Sequence, residues 1–115
     1  MSKITKLFRL AKEVAQAGSE RRQHWLGAVG VRTDGAVVTA YNLPCRRPTP
    51  TAHAESRVVR KLDHGSTVYV VRVSRRGKLM IARPCKACRA AMRCRGITRC
   101  YYSISDTEYG VMNGV

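Results

Sequence analysis

Over the first seventeen positions the apolar residues Ile4, Leu7, Phe8, Ala11, Val14 and Ala15 fall on one stripe at helical spacing, which predicts an amphipathic helix ended by Gly18. A polar, charged connector follows at Ser19 to Gln23. Trp25 to Val31 and Ala36 to Tyr41 then read as two strands joined by the turn residues Thr33, Asp34 and Gly35, a β-hairpin. The three prolines between Asn42 and Pro50 exclude a strand and predict a surface loop. From Thr51, a candidate N-cap, to Leu62 the period returns to helical, with Ala54, Val58, Val59 and Leu62 apolar and Arg57, Arg60 and Lys61 polar. Asp63, His64 and Gly65 close that helix.

The β-branched run within Ser66 to Val73 has the character of a strand buried on both faces. Leu79 to Ala82 predicts a short return strand after an Arg-rich turn, and Pro84 is expected to open a helix that Gly96 stops. Ile97 to Ser105 alternates, with Cys100, Tyr102 and Ile104 on one face and Arg99, Tyr101 and Ser103 on the other. Glu108 to Met112 is expected to return antiparallel to it. The order of elements predicts an α/β fold: a three-layer α/β/α sandwich, with a mixed sheet of about five strands and helices on both faces, built as a single domain over residues 1–115.

Charge changes the picture next. The chain carries 22 Lys and Arg against 7 Asp and Glu, a formal +15, so an acidic partner is expected, and phosphate is the commonest kind. No run of about 18 apolar residues occurs, so no membrane partner is expected. Five cysteines, two of them as Cys-x-x-Cys, suit a reducing, cytoplasmic setting and a metal or reactive thiol better than a disulfide framework.

Two strings carry chemistry, Thr51-Ala52-His53-Ala54-Glu55 and Arg83-Pro84-Cys85-Lys86-Ala87-Cys88, each opening a predicted helix. Cysteines three apart in a first helical turn share a face, so Cys85 and Cys88 can hold one ion, and His53 supplies a third ligand. Three protein ligands leave the fourth tetrahedral position open, as catalytic rather than structural zinc requires. Glu55, two residues after the imidazole, is placed to take a proton from water and deliver it to a leaving amine. A structural four-cysteine site with Cys94 and Cys100 is the alternative, but those two lack close-pair spacing and lie on different elements.

His-x-Glu followed by Pro-Cys-x-x-Cys resembles the zinc-dependent cytidine deaminase superfamily, most closely its cytidylate and deoxycytidylate branch, and the element order agrees over about residues 3 to 105. The resemblance implies Zn²⁺ on His53, Cys85 and Cys88, proton transfer by Glu55, and substrate contacts from Asn42 and the backbone amide of Ala54. It also implies a homo-oligomer that hydrolytically deaminates a cytosine nucleotide or nucleoside, of CMP or dCMP type. The clustered arginines keep open a base in single-stranded DNA or RNA as substrate, or an inactive zinc-stabilised nucleic-acid-binding module. The terminal helices of the nucleic-acid-editing branches are expected to be missing. The closing hairpin is nearer the compact free-nucleoside enzymes, whose first ligand is a Cys where this chain has His53.

Overall fold

The computed structural model describes residues 2–17, 25–42 and 53–114. Within them, α1 (Lys3–Ala17) precedes the hairpin β1 (Trp25–Val31) and β2 (Val37–Tyr41). Then come α2 (Ala54–Val59), β3 (Thr67–Val73), β4 (Leu79–Met80), α3 (Lys86–Arg95), β5 (Arg99–Ser103) and β6 (Tyr109–Asn113). The sheet has six strands in the order β2-β1-β3-β5-β6, with β4 attached to the end of β3. β3 and β5 are parallel and the other pairs antiparallel, so the sheet is mixed. The short return strand expected at Leu79 to Ala82 is the two-residue β4, which brings the sheet to six strands where about five were expected.

β3 explains why its sequence is continuously apolar. Val68 and Val70 face one layer, with Ala54, Val58, Val59, Leu62, Cys88 and Met92 of the α2 and α3 region. Val71, Tyr69 and Val73 face the other, under Leu7, Phe8, Ala11 and Ala15 of α1. Burying each such Val stabilises the fold by roughly 1.5–3 kcal/mol. The alternation expected in β5 holds, since Cys100 and Tyr102 pack toward α2 and α3 and Tyr101 toward α1. Tyr101 stacks on Tyr69 with ring centres 4.7 Å apart, and Trp25 packs on the same layer. Neither aromatic is therefore a free surface for stacking a base.

Two helix starts differ from the sequence reading. α2 begins at Ala54 because His53 is extended (φ −70, ψ 146), and it ends early because Lys61 and Leu62 N–H groups bond three residues back, to Val58 and Val59. α3 begins at Lys86, not at Pro84. Ala82 N–H donates to Ser103 O at 2.9 Å, which keeps the incoming chain in register with β5, and the extended Cys85 becomes the N-cap. Gly96, at φ 77, closes α3 as expected. The roles expected of Gly18, the 19–23 connector, the 43–50 loop and Thr51 lie outside the described residues.

α1 approaches β1 so closely that a Cβ at Gly27 would run into the Ala11 carbonyl oxygen and the Ala15 backbone nitrogen. Gly27→Ala should therefore lower stability by about 1–3 kcal/mol. The expected signature is a lower urea midpoint at unchanged slope, and an unaltered midpoint would contradict this packing. At the end of α2, Asp63 Oδ1 accepts from Ser66 Oγ at 2.5 Å and Oδ2 from Thr33 Oγ1 at 2.5 Å, tying the helix end to the β1–β2 turn. The Ser66 and Thr33 hydrogen bonds hold the Asp63 carboxyl well below the usual carboxylate range. A depressed folded pKa contributes stability above the unfolded value of about 3.9, lost as pH falls toward the folded one. Asp63→Asn should accordingly be less stable than the parent at pH 7, and denaturation midpoints taken from pH 7 to pH 2 should converge below pH 4.

Candidate active site and metal centre

His53 is the N-cap of α2 and Cys85 the N-cap of α3, so the first residue of each chemical string sits where a helix begins and its backbone is still extended. Cys88 lies one turn into α3, and its N–H donates to Cys85 Sγ at 3.5 Å. His53 Nδ1 stands 3.3 Å from Cys88 Sγ and 3.7 Å from Cys85 Sγ. The three donor atoms lie within 4.8 Å of one another, and among the described residues they are the one His, Cys and carboxylate grouping of this kind. For a tetrahedral zinc-like ion, adjacent nitrogen and sulfur ligands stand about 3.6 Å apart. The donor set fits one such ion bound from one side. Cys94 is exposed and Cys100 is buried in the core, and neither joins it. Burial pushes the Cys100 thiol up to about 12, consistent with an inert packing role.

Glu55 reaches the same place from the first turn of α2 with only 3% of its surface exposed. Burial pushes its carboxyl above the ordinary range, against the opposing pull of its own backbone hydrogen bond, of His53 and of a hydrogen bond with Cys88. Burial likewise raises the Cys88 thiol, with the Glu55 charge the next cause. A divalent cation among these donors reverses that sense and favours the thiolates, as does the positive end of α3. Ser56 Oγ lies 3.5 Å from Cys88 Sγ, a hydroxyl beside the buried sulfur. Among the described residues the buried polar atoms without a partner are Glu55 Oε1 and Arg89 Nε, and both residues are close in sequence to a donor.

A cavity of about 240 Å³ opens on this cluster, lined by Leu26, Ile81 and Ala82 as apolar wall and by His53, Glu55, Arg72, Arg83 and Cys85. It lies at the carboxyl end of β3, where Arg72 is the direct cross-strand neighbour of Leu26. A larger cleft of about 470 Å³ between α1 and the β5–β6 turn has Phe8, Lys12, Asp106 and Tyr109 in its wall but none of the three donors, so the chemistry belongs to the smaller cavity. Asn42 and Ala54 do not line that cavity among the described residues. Asn42 Oδ1 accepts from Leu26 N–H at 2.9 Å and its own N–H donates to Leu26 O at 3.2 Å, which fixes the strand beside the cavity. Ala54 is fully buried at the first helical position, where the N–H has no intrahelical acceptor.

Arg72 and Arg83 are the wall residues that sequence reasoning missed. A charge inside the run Val70-Val71-Arg72-Val73 was the available signal for the first, and an arginine fixed directly before a proline for the second.

If the three donors share one ion, purified protein should hold one equivalent of zinc. Cys85→Ser and His53→Ala should each drop well below that after dialysis, as read by elemental analysis, while Cys94→Ser should retain it. Cys85 is exposed, so its replacement tests the ligand role without a packing penalty. Full metal content in Cys85→Ser would exclude the site.

Among curated proteins no relative matches the sequence. One solved structure, the 1.6 Å crystal structure of cytidine deaminase from Burkholderia pseudomallei, superposes with a TM-score of 0.70 at 20% identity over 99% of this chain and 94% of that one. At that identity the likeness concerns the fold. Residues 1–104 match the family model for the cytidine and deoxycytidylate deaminase zinc-binding region. With most of the chain inside that match and the donor set assembled at two helix caps, the chain belongs to the cytidine and deoxycytidylate deaminase family.

Proposed function

We propose that this protein is a zinc-dependent hydrolytic deaminase of a cytosine nucleotide or nucleoside, of CMP or dCMP type, releasing ammonia and the uracil product. The observation that carries the reading is the triangle of His53 Nδ1, Cys85 Sγ and Cys88 Sγ beside a buried, partly unpartnered carboxylate. A metal in structural use needs no such neighbour. Held by those three donors, Zn²⁺ would supply the Lewis acidity that activates water near neutral pH.

The chain's own residues supply the rest. Leu26, Ile81 and Ala82 give a flat heterocycle an apolar wall, and the cavity is smaller than the roughly 300–1,000 Å³ of drug-sized sites, which suits a single base with its sugar toward the opening. Glu55 takes one proton from water as the oxygen forms its bond to C4 and delivers it to N3; it then takes the remaining hydroxyl proton and gives it to the exocyclic nitrogen as the C4–N bond breaks. Ammonia and a C4 carbonyl result. The Glu55 carboxyl, raised by burial, suits both halves of this exchange better than an exposed carboxylate would.

Glu55→Gln keeps the shape and the metal donors but removes the proton carrier. Zinc content should stay at one equivalent while ammonia release from cytidylate or deoxycytidylate falls by about 10²–10⁴-fold. Activity within threefold of the parent in a zinc-replete Glu55→Gln protein would sink the mechanism.

A further inference from the structure

The cavity wall carries two guanidinium groups for which the proton transfer has no use: Arg72 of β3, and Arg83 from the segment between β4 and α3. We infer that Arg83, with Arg72 deeper in the wall, forms the subsite for the phosphate of a free nucleoside monophosphate. The inference rests on the deaminase reading of the same cavity.

Arg83 is held in place by its neighbours. Before it, Ala82 is buried and its N–H donates to Ser103 O at 2.9 Å; Ser103 Oγ in turn donates to Met80 O at 2.6 Å. After it, Pro84 is buried and restricts the Arg83 backbone to extended geometry. An exposed side chain between two buried anchors is presented in a defined direction, and here that direction is the cavity wall. Arg83 has no acidic partner among the described residues, whose one salt bridge joins Arg32 to Asp34.

The charge count in the cavity points the same way. Among the described residues Glu55 is the one acid in the wall, and Arg83 forms no salt bridge. The Arg83 charge is therefore available to a substrate. A neutral nucleoside leaves it uncompensated, whereas a phosphomonoester carrying about −1.5 to −2 near neutral pH matches it. Arginine's planar fork is suited to binding such a group through two hydrogen bonds. Arg83 thus lines the same cavity as His53, Glu55 and Cys85 and is exposed at its wall.

The test compares kcat/KM of the zinc-loaded protein on deoxycytidylate and deoxycytidine, for the parent, Arg83→Gln and Arg83→Lys. The parent should prefer the monophosphate. In Arg83→Gln the ratio of the two should fall about 10- to 100-fold, mainly through KM for the monophosphate, as expected for losing a charge-assisted contact, and Arg83→Lys should recover part of it. An unchanged ratio in Arg83→Gln overturns the subsite, as does a parent that prefers the nucleoside. Preference for a cytosine-containing oligonucleotide over the monophosphate overturns it too, because the phosphate would then be read as part of a polymer. If no substrate yields ammonia, it is the deaminase reading that has failed. Calorimetric titration of the zinc-loaded parent with deoxycytidylate and deoxycytidine still decides the subsite, and equal affinities would overturn it.

Discussion

His53, Glu55, Cys85 and Cys88 meet because α2 and α3 both run against the direction of β3, so both helices begin at its carboxyl end. The parallel pairing of β3 with β5 makes this unavoidable for α3. Parallel neighbours need a crossover, the crossover is α3, and its first turn must emerge where β3 finishes. α2 precedes β3 and packs against α3, which brings His53 Nδ1 to within 3.3 Å of Cys88 Sγ. The ends of two helices and the end of one strand thus form a single corner. Exposed amides and the positive end of α3 face it, which favours an anionic ligand there.

That geometry accounts for what could be read along the chain. His53, Glu55, Cys85 and Cys88 are legible because their spacing is local, set within one helical turn whatever the rest of the fold does. β1 and the two-faced alternation of Cys100, Tyr101 and Tyr102 are legible for the same reason. The helix starts are not. Whether α3 opens at Pro84 or Lys86 is decided by Ala82 bonding to Ser103, 21 residues away, and by Cys85 serving as cap to Cys88. Arg72 joins the cavity because sheet register sets it opposite Leu26, a pairing across 46 residues that no local pattern encodes. Tyr101 stacks on Tyr69 beneath α1 while its neighbour Tyr102 packs on the other layer, because a layered fold buries alternate residues of an interior strand on opposite faces whatever their chemistry.

The site also costs the fold something. Among the described residues Glu55 Oε1 is buried without a partner, and an atom so placed typically destabilises a protein by about 1–3 kcal/mol. Its surroundings offset this through apolar packing: Ala28, Val58, Val70 and Met92 are essentially inaccessible to water in the same layer. The carboxylate is thus carried by a core that would be more comfortable without it, which is the pattern expected where a group is kept for chemistry rather than for stability.

Three of the six other acids are engaged in turns, away from the cavity. Asp34 bridges to Arg32 and accepts from Ala36 N–H, Asp63 binds Ser66 and Thr33, and Asp106 accepts from Leu79 N–H. Each serves a turn, and none of them lines the catalytic cavity. With 22 basic residues against 7 acidic ones, most of the positive charge is left without a counter-charge in the chain. Two effects on an anionic substrate then separate by distance. The exposed Lys86, Arg93 and Arg95 of α3 raise the general potential that draws anions in, and salt screens that attraction beyond about 8 Å at physiological ionic strength. Arg72 and Arg83 act at contact range inside the wall, where screening is weak. Drawing anions in is therefore a property of the whole basic surface, whereas the proposed choice of a monophosphate over a nucleoside falls to the cavity wall.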